Sequence, residues 1–226
     1  MVSVHTLPAP FDGFLDVLAR NHLWMTWNLV LAAVPALLAP PVFRHRGRRG
    51  PGWWFGLAVV ALFVPNAPYV VTDLVHLRGD VVLAGSDLDV VGGVLPAYGL
   101  FIAAGFACYA FVISEGRRYL DQRGLTAWRA PAEIALHATC AVGVVLGRVA
   151  RLNSWEPVTE PVGTLERVVL TLSWRWAPVA VAATFLVIWA GHALTRATWR
   201  AGVAGGASLL GAARSALDGG PHLGGP

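Results

Sequence analysis

An aspartate and a histidine lie one helical turn apart at the end of a strongly apolar stretch. Asp73 and His76 close a run that begins at Trp53 and is apolar enough to enter a bilayer. A carboxylate one turn from an imidazole can orient the ring and raise its basicity, as it does in acid–base pairs and around metal ions. Ionisable groups at membrane depth are costly and usually mark function. The pair therefore predicts His76 as a base that Asp73 orients.

Two prolines interrupt the same stretch. Pro65 and Pro68 each lack a backbone donor and disfavour helix at the preceding residue, so we predict a break or kink there. Carbonyls freed near a break must be buried in protein or line a wet cavity, and Asn66 is placed to satisfy them. On a continuous helix, one face would carry Asn66, Tyr69, Asp73 and His76. Either these residues and Thr72 form a polar pocket, or the segment is a structural helix end.

A metal ion at Asp73 and His76 would require one or two further ligands. The acids expected on the same side of the membrane are Asp80, Asp87, Glu156 and Glu160. The two cysteines, Cys108 and Cys140, lie inside apolar runs without metal-ligand spacing. We therefore predict no metal site, and the cofactor, if any, stays unknown.

A second polar patch follows the fourth apolar run. Arg148 and Arg151 stand one turn apart, where they could present two guanidinium groups to a phosphate, a pyrophosphate or a lipid head group. Alternatively they pair with Asp73 or extend to outer head groups. The same patch continues with Asn153, Ser154 and Trp155. With the first patch, it predicts a substrate-binding pocket made of Asn66, Tyr69, Thr72, Arg148, Arg151, Asn153 and Trp155.

Three further polar features lie in or beside apolar runs. Asn28 is predicted either to join the pocket or to bond a neighbouring helix. Glu133 and His137, four residues apart, indicate a solvated helix end in preference to a buried pair or proton relay. His192 is predicted to lie at the membrane interface.

The elements that must position these residues are membrane helices. Hydrophobic residues make up 56% of the 226 residues and charged residues only 13%, which excludes an ordinary soluble domain. We predict an all-α bundle of about five transmembrane helices, at 24–43, 53–71, 90–113, 130–149 and 176–194. The stretch 81–96 is a candidate for a re-entrant or interfacial piece, and 163–172 is too short to span and is expected to lie along the outer surface.

The arginines set the orientation, since the chain has no lysine. Eleven lie in the loops after the first, third and fifth helices, and six lie in the other loops. The positive-inside rule then places the N-terminus outside and the C-terminus in the cytoplasm. The domains are an external segment at 1–23, the helical domain at 24–195 and a disordered cytoplasmic tail at 196–226. Because the net charge of +4 comes from such topology signals, no nucleic-acid partner is expected.

Three motifs together resemble the family of bacterial multi-pass membrane proteins known only as domain of unknown function 1361. They are Trp27-Asn28-Leu29, the Pro65–Tyr69 segment with Thr72-Asp73-Leu74 and His76, and Gly147-Arg148 with Arg151 and Asn153-Ser154-Trp155. The resemblance implies a bacterial plasma-membrane protein and supplies no activity. The chain departs from the family pattern at Leu152, where members tend to carry tryptophan.

The preferred function is a structural or partner-binding membrane subunit with an outward-facing polar pocket, in contact with lipids and with a membrane-protein partner. One alternative is a membrane enzyme acting on a lipid-linked or anionic substrate. The other is a small-solute transporter, whose inner path would need Glu133, His137 and His192. A subunit predicts mutually occupied side chains and no cavity, whereas an enzyme predicts a closed pocket in which Asp73, His76 and an arginine meet.

Overall fold

Helices make up all the regular structure of the described residues. The computed structural model describes the backbone of residues 10–218 and the side chains of residues 13–204. The α-helices are α1 Pro10–Phe43, α2 Pro51–Phe63, α3 Asn66–Tyr69, α4 Leu77–Leu83, α5 Asp87–Asp89, α6 Leu95–Gln122, α7 Arg129–Val149, α8 Glu156–Thr159, α9 Pro161–Leu172 and α10 Ala177–Asp218. Two 3-10 segments, Val70–Val75 and Thr126–Trp128, and a π-helical stretch, Val90–Val94, complete the set.

In the described part of the chain, five helical stretches are long and apolar enough to cross a membrane, which confirms the number that the sequence predicts. They are Gly13–Phe43, Pro51–Leu83, Asp87–Gln122, Thr126–Val149 and Ala177–Ala204, and we call them the first to fifth spans. Each extends beyond the predicted bounds, except at the shared ends Phe43 and Val149 and at the start of the fifth. The helix α9 has 12 residues and is not among them.

Both predicted terminal segments contain helix. The helix α1 begins at Pro10, so much of the predicted external segment 1–23 belongs to the same helix as the first span. At the other end α10 continues to Asp218, through most of the stretch that the sequence assigns to a disordered tail. Residues 1–9 and 219–226 lie outside the described part of the chain.

The second span is broken at the predicted place. The helix α2 ends at Phe63, α3 covers only Asn66–Tyr69, and the chain then tightens into the 3-10 segment. We call residues 64–75 the broken segment. Glycines of neighbouring helices let it pack closely, because a Cβ at Gly105 of α6 would lie 2.5 Å from a Val70 methyl group and one at Gly143 of α7 would lie 2.9 Å from Pro65.

The stretch 81–96 joins the second span to the third and forms no separate re-entrant element. It consists of the end of α4, a turn, and the start of a helix whose first residue follows Ser86. The Ser86 hydroxyl accepts a hydrogen bond from the Asp89 backbone N–H at 3.2 Å, as an N-cap does. Gly93 then packs against α1, since a Cβ there would lie 2.7 Å from the Gly13 carbonyl carbon.

Two buried clusters hold the bundle together. The larger joins α1, α2, α3, α6, α7 and α10 and includes Val64, Tyr109, Ala141 and Ile188. The smaller joins α1, the broken segment and the start of the third span through Val17, Val70 and Tyr98. The broken segment therefore lies between α1, α6 and α7, which place their polar side chains around it.

Candidate functional site

The Asp73 carboxylate is buried between the first and second spans. Its residue is 4% exposed, and its Oδ2 accepts a hydrogen bond from Asn28 Nδ2 at 2.8 Å. The predicted polar role of Asn28 is therefore confirmed, since it bonds a neighbouring helix. A buried carboxylate without a donor would be costly, so this bond helps fix the end of the second span against α1.

His76 does not share a hydrogen bond with Asp73 in the described structure. Its side chain is exposed and its ring lies on Trp24, with centroids 4.9 Å apart. The nearby Thr72 hydroxyl donates to the Tyr69 carbonyl at 2.9 Å, within its own turn. In the predicted catalytic pair, Asp73 is therefore buried and His76 lies on the surface. The two side chains still interact electrostatically.

Asp80 is a second buried carboxylate, and its surroundings repeat the arrangement at Asp73. The sequence suggested Asp80 only as an extra metal ligand. Asp80 Oδ2 accepts hydrogen bonds from Asn21 Nδ2 at 2.7 Å and from the Tyr98 hydroxyl at 2.8 Å. Arg20 Nε lies 3.4 Å from its other oxygen. Asn21 and Asn28 are seven residues apart, as are Asp73 and Asp80. This equal spacing is the signal in the sequence that could have predicted the two asparagine–aspartate hydrogen bonds.

A cavity of about 550 Å³ lies beside the broken segment, between α1, α7 and α9. Its polar lining consists of Asn28, Asn66, Tyr69, Thr139, Arg151, Asn153, Ser154 and Thr164. Its apolar lining includes Trp27, Leu31, Leu62, Val142, Leu146 and Val168. Four of the seven residues predicted to bind substrate therefore meet here: Asn66, Tyr69, Arg151 and Asn153. Thr72, Arg148 and Trp155 do not line the cavity, and neither do Asp73 and His76.

Asn66 links the two predicted patches. Its Nδ2 donates to the Phe63 carbonyl at 3.0 Å, so it satisfies a backbone group near the proline break, as predicted. The same nitrogen donates to the Ser154 hydroxyl at 2.7 Å. The broken segment and the loop after α7 are thereby joined at the cavity wall.

Arg151 occupies the turn that follows α7. It has a φ of 54°, and it is the one non-glycine residue with positive φ among those described. Beyond it, the Leu152 N–H bonds back to the Leu146 carbonyl at 3.5 Å. Arg148 and Arg151 are both exposed, and within residues 13–204 neither forms an ion pair. The predicted alternative of a direct pair with Asp73 is therefore not found.

A small polar assembly lies beside the cavity and shares Asn153 with its lining. Arg167 of α9 bonds Glu156 at 3.0 Å and Glu160 at 2.9 Å, and Asn153 Nδ2 donates to Glu156 at 2.7 Å. The hydrogen bond from Asn153, with the charge of Arg167 adding to it, lowers the pKa of Glu156 below its ordinary value of 4.5. Beside this assembly the Thr164 hydroxyl is buried and has no hydrogen-bond partner among the described residues.

A second group of polar side chains lies buried between α6, α7 and α10. His137 is 1% exposed, so the prediction of a solvated helix end was wrong. His192 is 3% exposed and is enclosed by neighbouring helices, while its place at the membrane interface stays a prediction. Glu133 Oε1 lies 3.3 Å from His192 Nδ1 and 3.8 Å from His137 Nε2. We call Glu133, His137 and His192 the inner cluster. The sequence indicated these three residues only as the inner path of a transporter and did not predict that they meet, because His192 joins the other two through the packing of α10 on α7.

The chain belongs to the family described as Protein of unknown function (DUF1361), whose model matches residues 27–190. No curated protein and no solved structure matches it. The match confirms the resemblance stated above and covers Asn28, the broken segment and the loop after α7. Asn21 and His192 lie outside the matched residues.

Proposed function

We propose that this multi-pass membrane protein binds a phosphate-bearing lipid or lipid-linked phosphate in the cavity beside the broken segment. The observation that carries the proposal is that Arg151, which forms no ion pair within residues 13–204, lies at the rim of a largely apolar cavity. A guanidinium group free of protein carboxylates is available for a phosphate. The apolar wall suits a hydrocarbon chain.

The position of the cavity supports entry from the bilayer. Trp27 and Ala61 belong to the first and second spans, line the cavity and are exposed on the outside of the bundle. A lipid chain could therefore enter sideways between these spans while its head group stays near Arg151. The carbonyl groups at the C-terminal end of α7 favour a cation nearby, so a guanidinium group suits this position.

The distribution of arginines supports an outward-facing cavity in a bacterial plasma membrane. The eleven arginines lie at or after the C-terminal ends of the first, third and fifth spans or at the start of the fourth, which is the end of the bundle opposite the cavity. Under the positive-inside rule that end is cytoplasmic. The ligand would then be a lipid or lipid-linked phosphate of the outer leaflet.

A structural or partner-binding subunit is the second candidate, favoured by the two asparagine–aspartate contacts. Asn28 with Asp73 and Asn21 with Asp80 occupy their carboxylates within the bundle, as helix-locking groups would. That function leaves the cavity, the buried Thr164 hydroxyl and the unpaired Arg151 without a role. Catalysis by His76 and Asp73 stays a prediction, and would require His76 to reach a ligand from outside the cavity.

Calorimetric titration of the purified protein in a non-ionic detergent tests the proposal. Three probes separate the parts of the ligand: dioctanoyl phosphatidic acid, glycerol 3-phosphate and dioctanoylglycerol. We expect the first to bind and the other two to bind at least about tenfold more weakly, a difference of about 1.4 kcal/mol each. If dioctanoylglycerol binds as tightly as the phosphatidic acid, the anion site is refuted.

Two variants locate the binding. Arg151→Gln keeps most of the side chain but removes the charge, and should weaken phosphatidic acid binding at least about tenfold. Arg175→Gln is the matched control, because Arg175 is exposed near the same side, lies outside the cavity and contacts Trp176. Thr164→Val should weaken binding without loss of stability, since its hydroxyl has no described partner. Equal binding by the wild type and Arg151→Gln would favour the subunit function.

A further inference from the structure

We propose that Glu133, His137 and His192 bind a divalent transition-metal ion of the zinc class inside the helical bundle. The proposal departs from the sequence prediction of no metal site and is independent of the lipid site. One ligand atom from each residue lies within 4.8 Å of the other two. Two imidazoles and one carboxylate form a ligand set that suits zinc and its transition-metal neighbours better than magnesium or calcium.

The distances within the inner cluster are near those of a metal site. Zinc–nitrogen bonds of about 2.0–2.1 Å place neighbouring tetrahedral ligands about 3.3–3.5 Å apart. The Glu133 Oε1 to His192 Nδ1 distance is 3.3 Å, and the Glu133 Oε1 to His137 Nε2 distance is 3.8 Å. Small side-chain rotations therefore suffice to bring three ligands onto one ion, and the fourth position remains open for water or another ligand.

His137 supplies the observation that points to a ligand. Its Nε2 is buried and has no hydrogen-bond partner among the described residues. Its other ring nitrogen, Nδ1, lies 2.7 Å from the Tyr109 hydroxyl. When Nδ1 carries the proton and donates to the Tyr109 oxygen, Nε2 presents a lone pair towards Glu133 and His192. Metal-bound histidines commonly use their second nitrogen in this way, which fixes the ring and its tautomer.

Two arginines act on Glu133 in different ways. Arg117 Nη1 donates to Oε2 at 2.8 Å and so leaves Oε1 directed at the histidines. Arg196 Nη1 lies 3.5 Å from Oε1 itself, where it competes with a metal ion. Because the Arg196 side chain is 36% exposed, it can move towards solvent when an ion enters. Removing Arg196 should therefore strengthen metal binding.

A route for the ion leads to Glu133. A cavity of about 350 Å³ between α2, α6 and α7 is lined by Glu133 and Arg117. It lies at the end of the bundle that carries the arginine-rich loops, so the ion would enter from that side. An ion bound there would connect α7 to α10, because two ligands come from α7 and one from α10. Metal binding should consequently stabilise the folded protein.

Titration of chelator-stripped full-length protein with Co²⁺, followed by visible absorption, tests the site. The protein should be purified with a tag that contains no histidine. We expect one equivalent of Co²⁺ to give d–d bands of a low-coordinate nitrogen–oxygen site, Zn²⁺ to displace it, and Zn²⁺ to raise the melting temperature. Absence of stoichiometric Co²⁺ and Zn²⁺ binding by the wild-type protein overturns the proposal whatever the variants do.

Variants identify the ligands. His192→Gln and Glu133→Gln should each weaken binding at least about tenfold, whereas Arg196→Ala should tighten it. His22→Gln is the matched control, because His22 is an exposed histidine of α1 outside the inner cluster. Binding that survives in folded His192→Gln and is lost in His22→Gln would indicate an adventitious surface site and overturn the assignment. The stability increase with Zn²⁺ should vanish in His192→Gln, which a merely structural histidine would not explain.

Discussion

Asn28 of α1 donates a 2.8 Å hydrogen bond to the buried carboxylate of Asp73, in the broken segment of the second span. Asn21 makes the corresponding 2.7 Å bond to Asp80. Seven residues are close to two helical turns, so the two bonds follow one face of α1. They hold the first span against the part of the second span that follows the two prolines.

Replacing Asn28 should destabilise the protein more than neutralising its partner. Asn28→Ala leaves the Asp73 carboxylate buried without its donor, at a cost of about 1–3 kcal/mol. Asp73→Asn keeps an oxygen that can accept from Asn28 and removes the buried charge, so its effect should be smaller, below about 1 kcal/mol. Unfolding of the purified variants in detergent measures both.

The double variant Asn28→Ala with Asp73→Ala is the control for this pair. Because it removes donor and acceptor together, its loss of stability should be less than the sum of the losses in Asn28→Ala alone and in Asp73→Ala alone. If the losses of stability are strictly additive, the two side chains are not coupled, which would contradict the hydrogen bond between them.

The arrangement around the broken segment was largely predictable from sequence. Prolines act locally, so Pro65 and Pro68 predicted the break, and membrane helices are recognisable from composition. The meeting of Asn66 with Ser154 could be anticipated from topology, since both lie at the same end of the bundle. The exposed position of the His76 side chain could not be anticipated, because it depends on the 3-10 winding after Tyr69 and on the ring contact with Trp24.

The inner cluster shows where sequence reasoning ended. The spacing of Glu133 and His137 was visible, but burial depends on what covers the helix face, and α10 covers it from far along the chain. On its own helix, the residues just before His192 are apolar, and the nearest polar residues are Thr195 and Arg196, which follow it. Only helix packing brings the three side chains together.

Gly143 should tolerate no side chain, because α7 packs there on the broken segment. A Cβ at Gly143 would lie 2.9 Å from Pro65 Cβ, so Gly143→Ala should displace the helices and cost about 1–3 kcal/mol. Gly99→Ala is the matched control, since a Cβ there meets nothing within 4 Å and alanine favours helix. Thermal unfolding should therefore separate the two variants, and equal melting temperatures would contradict the close approach of α7.

The assembly of Glu156, Asn153 and Arg167 should make stability depend on pH in the acid range. Because the pKa of Glu156 is lowered in the folded protein, its ionised form stabilises the fold above its unfolded-state pKa. That stabilisation is lost as the pH falls through the folded-state pKa, below the ordinary value of 4.5. Glu156→Gln should thus melt below the wild type near neutral pH and approach it in acid.

Glu166→Gln provides the comparison for this pH effect. Glu166 is exposed on α9, the helix that carries Arg167, and forms no ion pair within residues 13–204. The melting temperature of Glu166→Gln should therefore stay close to that of the wild type at every pH. Melting curves between about pH 3 and about pH 7 cover the range in which a glutamate with a lowered pKa titrates. A Glu156→Gln deficit that persists unchanged at the acid end would refute the assigned cause.

Arg151→Gly should separate the stability of the turn from ligand binding. Arg151 has a φ of 54°, a left-handed conformation that costs an L-residue about 1–2 kcal/mol and that glycine adopts freely. Glycine also removes the guanidinium group from the cavity rim. We therefore expect Arg151→Gly to unfold at the same temperature as the wild type or higher, and to bind dioctanoyl phosphatidic acid at least about tenfold more weakly. If glycine instead destabilises the protein, Arg151 contributes contacts to the fold itself, and the loss of binding could no longer be assigned to the missing charge.

Arg148→Gly, at a helical position outside the cavity, should show the opposite pattern, with a loss of stability and unchanged affinity.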